Sequence, residues 1–183
     1  MLIGVTGGIA AYKTATLVSR LAQAGASVTV AMTDGAARFV TPLTFQALSG
    51  RPVYTSPWEH HEASDPQHIA LAGACDLAVV APCTMNCLAN LATGRADDVV
   101  TLILSALDRT RTPVLLCPSM NAVMWAQPST KRNVTQLRAD GFELVGPDEG
   151  WQACRTVGVG RMAEPEAILL AIEARLRVSS RGT

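Results

Sequence analysis

Val114-Leu115-Leu116-Cys117-Pro118-Ser119-Met120-Asn121-Ala122-Val123-Met124-Trp125 is the stretch that decides the fold. Its first four residues are apolar without a break, which predicts a strand buried on both faces. That strand delivers Asn121 to a loop at its end, among Met120, Met124 and Trp125. An amide in such surroundings must be hydrogen-bonded, to the protein or to a ligand. A ligand is the expectation carried forward.

Outward from this strand, strand-like and helix-like runs alternate along the whole chain. Strands are expected at Leu2 to Thr6, Ser27 to Met32, Asp76 to Ala81, Pro113 to Cys117 and Phe142 to Val145. Helical spacing runs from Ile9 to Ala24, with Leu17 and Leu21 on one face and Gly25 closing it. Shorter helices are expected through Phe39, over Pro42 to Leu48, Met85 to Leu91 and Asp97 to Leu107, and longer ones over Ser129 to Asp140 and Glu164 to Arg177. Residues 50 to 67, polar and holding Pro52, Pro57 and Pro66, read as a long excursion. Gly146 to Arg161 shows no clear period. Apolar strands separated by helices indicate an α/β domain, a Rossmann-like three-layer α/β/α sandwich on a mainly parallel sheet. The domain is expected to span residues 1–177, with 178–183 a frayed tail.

Composition narrows the classes. Of 183 residues, 49% are apolar and only 16% charged, against about 25% in an ordinary domain. No apolar run reaches the ~18 residues of a membrane span, so the surplus is assigned to a subunit interface and not to a membrane. Fifteen basic and fifteen acidic residues, without a basic block, argue against nucleic-acid binding. Met1 leads straight into an apolar strand with no charged leader, which points to a cytoplasmic protein. Cys75, Cys83, Cys87, Cys117 and Cys154 are odd in number and contain no C-x-x-C pair, so neither a disulfide framework nor a structural metal site is expected. The first four sit in apolar sequence and read as core. Cys154, beside Arg155 and Arg161 in a glycine-bearing segment suited to a flap, does not.

Ligands of such sheets lie at the carboxyl ends of the strands. The first turn holds Thr6-Gly7-Gly8-Ile9, two glycines that let backbone approach a phosphate or a flavin ring. The spacing differs from G-x-G-x-x-G, and Thr33, not an acidic residue, ends the second strand. A mononucleotide therefore fits better than NAD. Thr84 and Asn86 precede a helix and suit either capping or the polar edge of a cofactor. His68 leads into an apolar segment and is a candidate base, whereas His60 and His61 read as solvated.

Together these segments resemble the homo-oligomeric flavin-containing cysteine decarboxylases, the family of phosphopantothenoylcysteine decarboxylase, over essentially the whole chain. Thr6-Gly7-Gly8-Ile9-Ala10-Ala11-Tyr12-Lys13 is similar to the family's flavin loop, and His68-Ile69 with Cys75-Asp76-Leu77 and Val80-Ala81-Pro82 to its histidine segment. Pro118 to Trp125 matches P-x-M-N-x-x-M-W, the most specific motif. Ala153-Cys154 with Gly158, Gly160-Arg161-Met162 and Glu164-Pro165 resembles the cysteine-bearing substrate clamp. The chain departs from the pattern at Arg155, where the family has glycine, and in Pro82-Cys83-Thr84-Met85-Asn86-Cys87, where the family writes P-A-S-A-N-T. That last string also resembles flavin prenyltransferases, which lack the P-x-M-N-x-x-M-W segment.

The resemblance implies FMN as cofactor, held by Gly7, Gly8, Ile9, Thr33, Phe39, Thr84, Met85 and Asn86. It implies decarboxylation of 4'-phosphopantothenoylcysteine to 4'-phosphopantetheine in coenzyme A biosynthesis. An acylated cysteine nitrogen cannot form an imine, so oxidation of the thiol carbon to a thioaldehyde supplies the electron sink, a two-electron task suited to a flavin. By the same resemblance His68, Asn121 and Cys154 are catalytic, as base, carboxylate holder and proton donor, and Met120, Asn121, Met124, Ala153 and Arg161 bind substrate. Met120, Met124 and Trp125 would exclude water. A homo-oligomer, a trimer or a multiple of trimers, is implied, with coupling to a phosphopantothenate-cysteine ligase. The other readings are a peptidyl-cysteine decarboxylase, a flavin prenyltransferase and a non-catalytic FMN-binding regulatory protein.

Overall fold

A computed structural model of the chain describes residues 1–59 and 67–179. The elements run β1 (Leu2–Val5), α1 (Ala11–Gln23), β2 (Thr29–Met32), α2 (Asp34–Ala37), α3 (Pro42–Ser49), β3 (Val53–Tyr54), α4 (Gln67–Gly73), β4 (Ala78–Cys83), α5 (Met85–Thr93), α6 (Val99–Ser105), β5 (Val114–Pro118), α7 (Ala122–Ala126), α8 (Pro128–Ala139), β6 (Glu143–Leu144), β7 (Asp148–Trp151), β8 (Val157–Arg161) and α9 (Pro165–Ser179). Six of the strands pair in parallel in the order β3-β2-β1-β4-β5-β6. This is the doubly wound Rossmann order, in which the direction of strand addition reverses between β1 and β4.

The apolar strands are explained by burial on both faces. Every residue of β1, β4 and β5 is buried. Alternate residues serve opposite layers. Ile3, Val5, Val79, Ala81, Leu115 and Cys117 pack into the layer that holds Leu17 and Leu21 of α1 and Ile168 of α9. Leu2, Ala78, Val80, Val114 and Leu116 pack into the layer of Leu88, Val100, Ile103 and Leu137. Polar anchors tie the carboxyl ends together: Thr14 Oγ1 donates to Ala81 O at 2.6 Å, Thr6 Oγ1 to Pro82 O at 2.7 Å, and Ser119 N to Cys83 O at 3.0 Å.

Four local expectations change. The excursion over 50–67 contains β3, an edge strand of two residues, too short to leave a periodic signal; His60 and His61 lie outside the described residues. His68 sits in the first turn of a helix, α4. The loop after β5 becomes the short helix α7 from residue 122, because Asn121 itself caps it. Gly146 to Arg161 is not irregular: β7 and β8 form an antiparallel hairpin. Its strands are largely exposed, so no burial pattern marks them in the sequence. The last helix runs to Ser179, and residues 180–183 lie outside the described residues. Among the described residues no helix is long and apolar enough to cross a membrane.

Candidate active site

Two cavities meet at the carboxyl ends of β1 and β4, where the topology places a ligand. One, about 560 Å³, is lined by Thr6, Thr33, Asn90 and the Thr55–Trp58 segment among others. The second, about 710 Å³, is lined by Ile9, Met85, Met120, Met124, Cys154 and Met162 among others. Gly7, Thr84 and Asn86 belong to both walls and form the junction. The first lobe carries hydroxyls and amides together with Asp34, Arg95, Asp97 and Asp98; Asp97 is paired with Arg95 and Asp98 caps α6, and the hydroxyls and amides suit a ribityl chain and its phosphate. The second is more apolar and suits a planar ring system. The donor set therefore fits a mononucleotide with a flavin-sized ring.

The hydroxyls at this edge do two jobs. Thr33 Oγ1 accepts from Ala36 N and caps α2, and Thr84 Oγ1 accepts from Cys87 N and caps α5, each at 3.3 Å. Thr6 Oγ1 bridges to the second turn, accepting from Thr84 N at 3.1 Å. Capping uses a lone pair and leaves the O–H as a donor for a ligand. Gly7 has a structural reason of its own: a Cβ there would lie 2.9 Å from the Gly35 carbonyl carbon, so the turn after β1 touches the backbone of α2. Asn86 is exposed at the junction, and its amide has no protein partner among the described residues.

Asn121 is positioned by β5 and α7. Its Oδ1 accepts from Met124 N at 2.8 Å, an N-cap bond that commits the oxygen end of the amide to α7. Nδ2, with two donors and no protein partner among the described residues, is left for the second cavity, whose wall Asn121 shares with Met120 and Met124. Trp125 is the exception in this stretch. It packs on the core layer of Leu137 with Lys131 4.7 Å over its ring, outside both cavity walls, so the water exclusion expected of it falls to Met120 and Met124.

The hairpin closes the second cavity. Trp151, Gln152, Ala153, Cys154, Gly160, Arg161 and Met162 all line it. Gly160 explains how the hairpin comes so close: at φ +147 its Cβ would stand 2.3 Å from Met120 O, and Met120 N donates to Gly160 O at 2.9 Å. Gly158 meets Ala122 the same way: a Cβ added there would stand 2.7 Å from Ala122 Cβ. Cys154 is the one exposed cysteine; Cys75, Cys83, Cys87 and Cys117 are buried, and burial pushes the Cys83 and Cys117 thiols far up. Arg155, at the tip, adopts φ +64, the left-handed conformation that a glycine takes without strain.

Two lining residues were given no site role from the sequence. Lys13 lines the second cavity although it lies among the buried residues of α1 with Thr14 and Leu17. A lysine among them was the available signal. It donates to Glu164 Oε1 at 2.9 Å, and Arg161 bonds the same oxygen. Burial, and then the Arg161 charge, lower the Lys13 pKa from its ordinary value. Among the described lining residues Lys13 and Arg161 are the only charged ones, both cationic, while Glu164 stands behind them. Gln152, buried, is the second. No motif called attention to it.

His68 and Phe39 stand apart. His68 is half-buried on α4 and Phe39 is 50% exposed after α2, and neither lines either cavity of the single chain. Ile9, Met85, Ala153 and the other expected site residues do line them. Among the described residues no group of three or more His, Cys, Asp or Glu side chains could hold a metal.

Residues 1–177 match the family model described as Flavoprotein. The chain belongs to the flavoprotein family. Its relatives include a coenzyme A biosynthesis bifunctional protein CoaBC from Bacillus subtilis, 47% identical over 173 residues. That match covers 94% of this chain and 42% of the relative, so the chain spans less than half the length of that curated protein. Among solved structures, the flavoprotein resembles a PPC decarboxylase cysteine-to-serine mutant complexed with pantothenoylaminoethenethiol, at TM-score 0.85 and 29% identity, covering 96% of this chain and 97% of that one. It also resembles the FMN-dependent cysteine decarboxylase SpaF, at TM-score 0.83 and 30% identity, covering 98% and 95%.

Proposed function

We propose that this flavoprotein binds FMN and decarboxylates 4'-phosphopantothenoylcysteine to 4'-phosphopantetheine, a step of coenzyme A biosynthesis. One observation carries the reading: Asn121, whose Nδ2 has no protein partner among the described residues, the Cys154 thiol and two cations, Lys13 and Arg161, share one largely apolar cavity. Gly7, Gly8, Ile9, Thr33, Thr84, Met85 and Asn86, which line the two cavities, would hold the cofactor. When bound, FMN supplies the reversible two-electron oxidation of the thiol carbon that makes loss of carbon dioxide possible.

The residues of the chain do the rest. Asn121 Nδ2 donates to the substrate carboxylate and orients it. Met120 and Met124 keep water from that carboxylate, which favours its departure as neutral carbon dioxide. Cys154 donates a proton to the carbon of the resulting enethiolate. Lys13 and Arg161 neutralise the substrate's phosphate. An anionic tail is favoured over a peptide by this pair of cations, so the small-molecule substrate is preferred to peptidyl cysteine.

His68, as base, and Phe39, against the flavin, enter from a neighbouring subunit of a homo-oligomer, a trimer or a multiple of trimers. Their position outside the single-chain cavities supports this, as do the exposed Ile9, Tyr12, Phe39, Trp58 and Ile69. The bifunctional relative supports coupling to a phosphopantothenate-cysteine ligase. Five free cysteines suit a reducing, cytoplasmic setting. The test compares carbon dioxide release from phosphopantothenoylcysteine, pantothenoylcysteine and a cysteine-terminated peptide. The phosphorylated substrate should have the highest kcat/KM; preference for the peptide would overturn the assignment.

A further inference from the structure

The buried amide of Gln152 has no place in the mechanism so far, yet it joins the two halves of the site. Gln152 is 7% exposed. Its Oε1 accepts from Ala122 N at 3.1 Å, the first residue of α7 and the neighbour of Asn121. Its Nε2 donates to Gly158 O at 3.3 Å, in β8. The Cys154 thiol donates to the same Oε1 at 3.7 Å, and lies 3.0 Å from the Thr156 hydroxyl. The backbone of Gln152 closes the hairpin tip as well, N donating to Thr156 O and O accepting from Arg155 N, both at 2.9 Å. One side chain thus touches the turn that aims Asn121 and the thiol that Cys154 presents.

We propose that Gln152 is a positioning residue that sets the distance between the Asn121 amide and the Cys154 thiol, and so determines whether the enethiolate is protonated after decarboxylation. The proposal rests on the decarboxylase reading. Three observations carry it. The amide is satisfied at both ends by partners on different elements, so it cannot shift without breaking a bond to one of them. The thiol sits at a hairpin tip that is otherwise exposed, with Ala153, Arg155 and Thr156 all open to solvent, so nothing apolar holds it in place. The other attachments of the hairpin to the Asn121 loop lie at Gly158 and Gly160, on the far strand from the cysteine. Gln152 is the link on the cysteine's own side.

The proton balance makes the role readable. Each decarboxylated substrate that is then reduced and protonated yields one carbon dioxide and one saturated thiol. If the thiol of Cys154 is displaced, carbon dioxide still leaves and the unsaturated enethiol is released in place of the saturated product; the two electrons taken from the thiol carbon would then stay on the bound flavin until dioxygen of the aerated assay removes them, one dioxygen per enethiol. A purely structural defect lowers both yields together.

The experiment uses the full FMN-loaded chain and the variants Gln152→Met, which has similar length without polar atoms, and Gln152→Glu, which keeps an acceptor for Ala122 N but loses the donor to Gly158 O. Amide hydrogen exchange is read over residues 120–127 and 150–160, and carbon dioxide and saturated thiol are measured in one reaction. Gln152→Met should lose at least tenfold protection at Ala122 and give at least a threefold excess of carbon dioxide over thiol, with KM within threefold of native. Gln152→Glu should retain the Ala122 protection and a ratio closer to one. A Met variant with native exchange and a native ratio would overturn the proposal, and so would equal losses of both products with protection falling throughout the chain. If the native chain itself releases no carbon dioxide, the decarboxylase reading fails, while the exchange data still report on the link.

Discussion

Asn121 is where structure and chemistry can be separated by substitution. Its Oδ1 caps α7, while Nδ2 has no protein partner among the described residues and the residue lines the cavity, so the two ends of one amide are free to do different things. Asp caps as well as Asn, whereas Ala costs about 1 kcal/mol of stability. Asn121→Asp should therefore melt like the native chain yet lose about 10²–10³ in kcat, the scale on which a single aimed donor acts. Thermal melts with carbon dioxide assays check this; a fully active Asp variant would remove Asn121 from carboxylate binding. Lys13 gives a pH signature. Its folded pKa lies below the ordinary 10.5, through burial first and Arg161 second. Between the folded value and 10.5 the unfolded chain holds more proton, so the contribution of this lysine to stability rises with pH across that window. Over the same window the cavity loses a positive charge, and KM for the phosphorylated substrate should rise. Lys13→Met should raise KM at neutral pH about 10- to 100-fold, as expected of a hydrogen bond to a charged group, and flatten the alkaline limb. KM profiles against pH decide it. Both residues show how far the sequence could be read. The P-x-M-N-x-x-M-W stretch announces Asn121, but a lysine that bonds an acid 151 positions away is visible only once α1 and α9 are packed together.

At the scale of elements, the hairpin β7–β8 is the part least legible in the sequence. The strands of the sheet betray themselves by continuous apolar runs, because both faces are covered. The hairpin has no such pattern, since its contacts are made by glycine backbones and one buried glutamine. Short elements such as β3 and α7 were hidden for a related reason: two to five residues do not show a period. The close approach at Gly160 is the testable feature. Gly160→Ala would place a methyl 2.3 Å from Met120 O at φ +147, a conformation open in practice only to glycine. It should destabilise the chain by about 1–3 kcal/mol and open the second cavity. Denaturant titration and limited proteolysis at the hairpin check it, and an unchanged midpoint would contradict the packing described. Arg155 runs the other way. Held at φ +64, it carries a left-handed cost, and Arg155→Gly should gain about 1 kcal/mol in the same titration.

For the whole molecule, the three-layer architecture on a mainly parallel sheet was legible because alternating apolar strands and helices leave few other arrangements, whereas the strand order came from the structure. The site itself was only half legible. Gly7, Thr33, Thr84, Asn86, Asn121 and Cys154 converge on one edge, while His68 and Phe39 do not line it in a single chain. A shared site makes a specific prediction. His68→Asn and Asn121→Asp protomers, each inactive alone, should regain part of the activity when co-assembled, because some sites then draw both native residues from different subunits. Mixing with no recovery, despite exchange of subunits, would place both residues in one subunit's site. The central claim is a redox-neutral decarboxylation in the cavity that Asn121 and Cys154 share, and its most direct measurement counts carbon dioxide and 4'-phosphopantetheine in one reaction of the FMN-loaded chain with 4'-phosphopantothenoylcysteine. Equal amounts of both, over many turnovers and without an added oxidant or reductant, are predicted. A chain that binds FMN and releases no carbon dioxide would contradict the account.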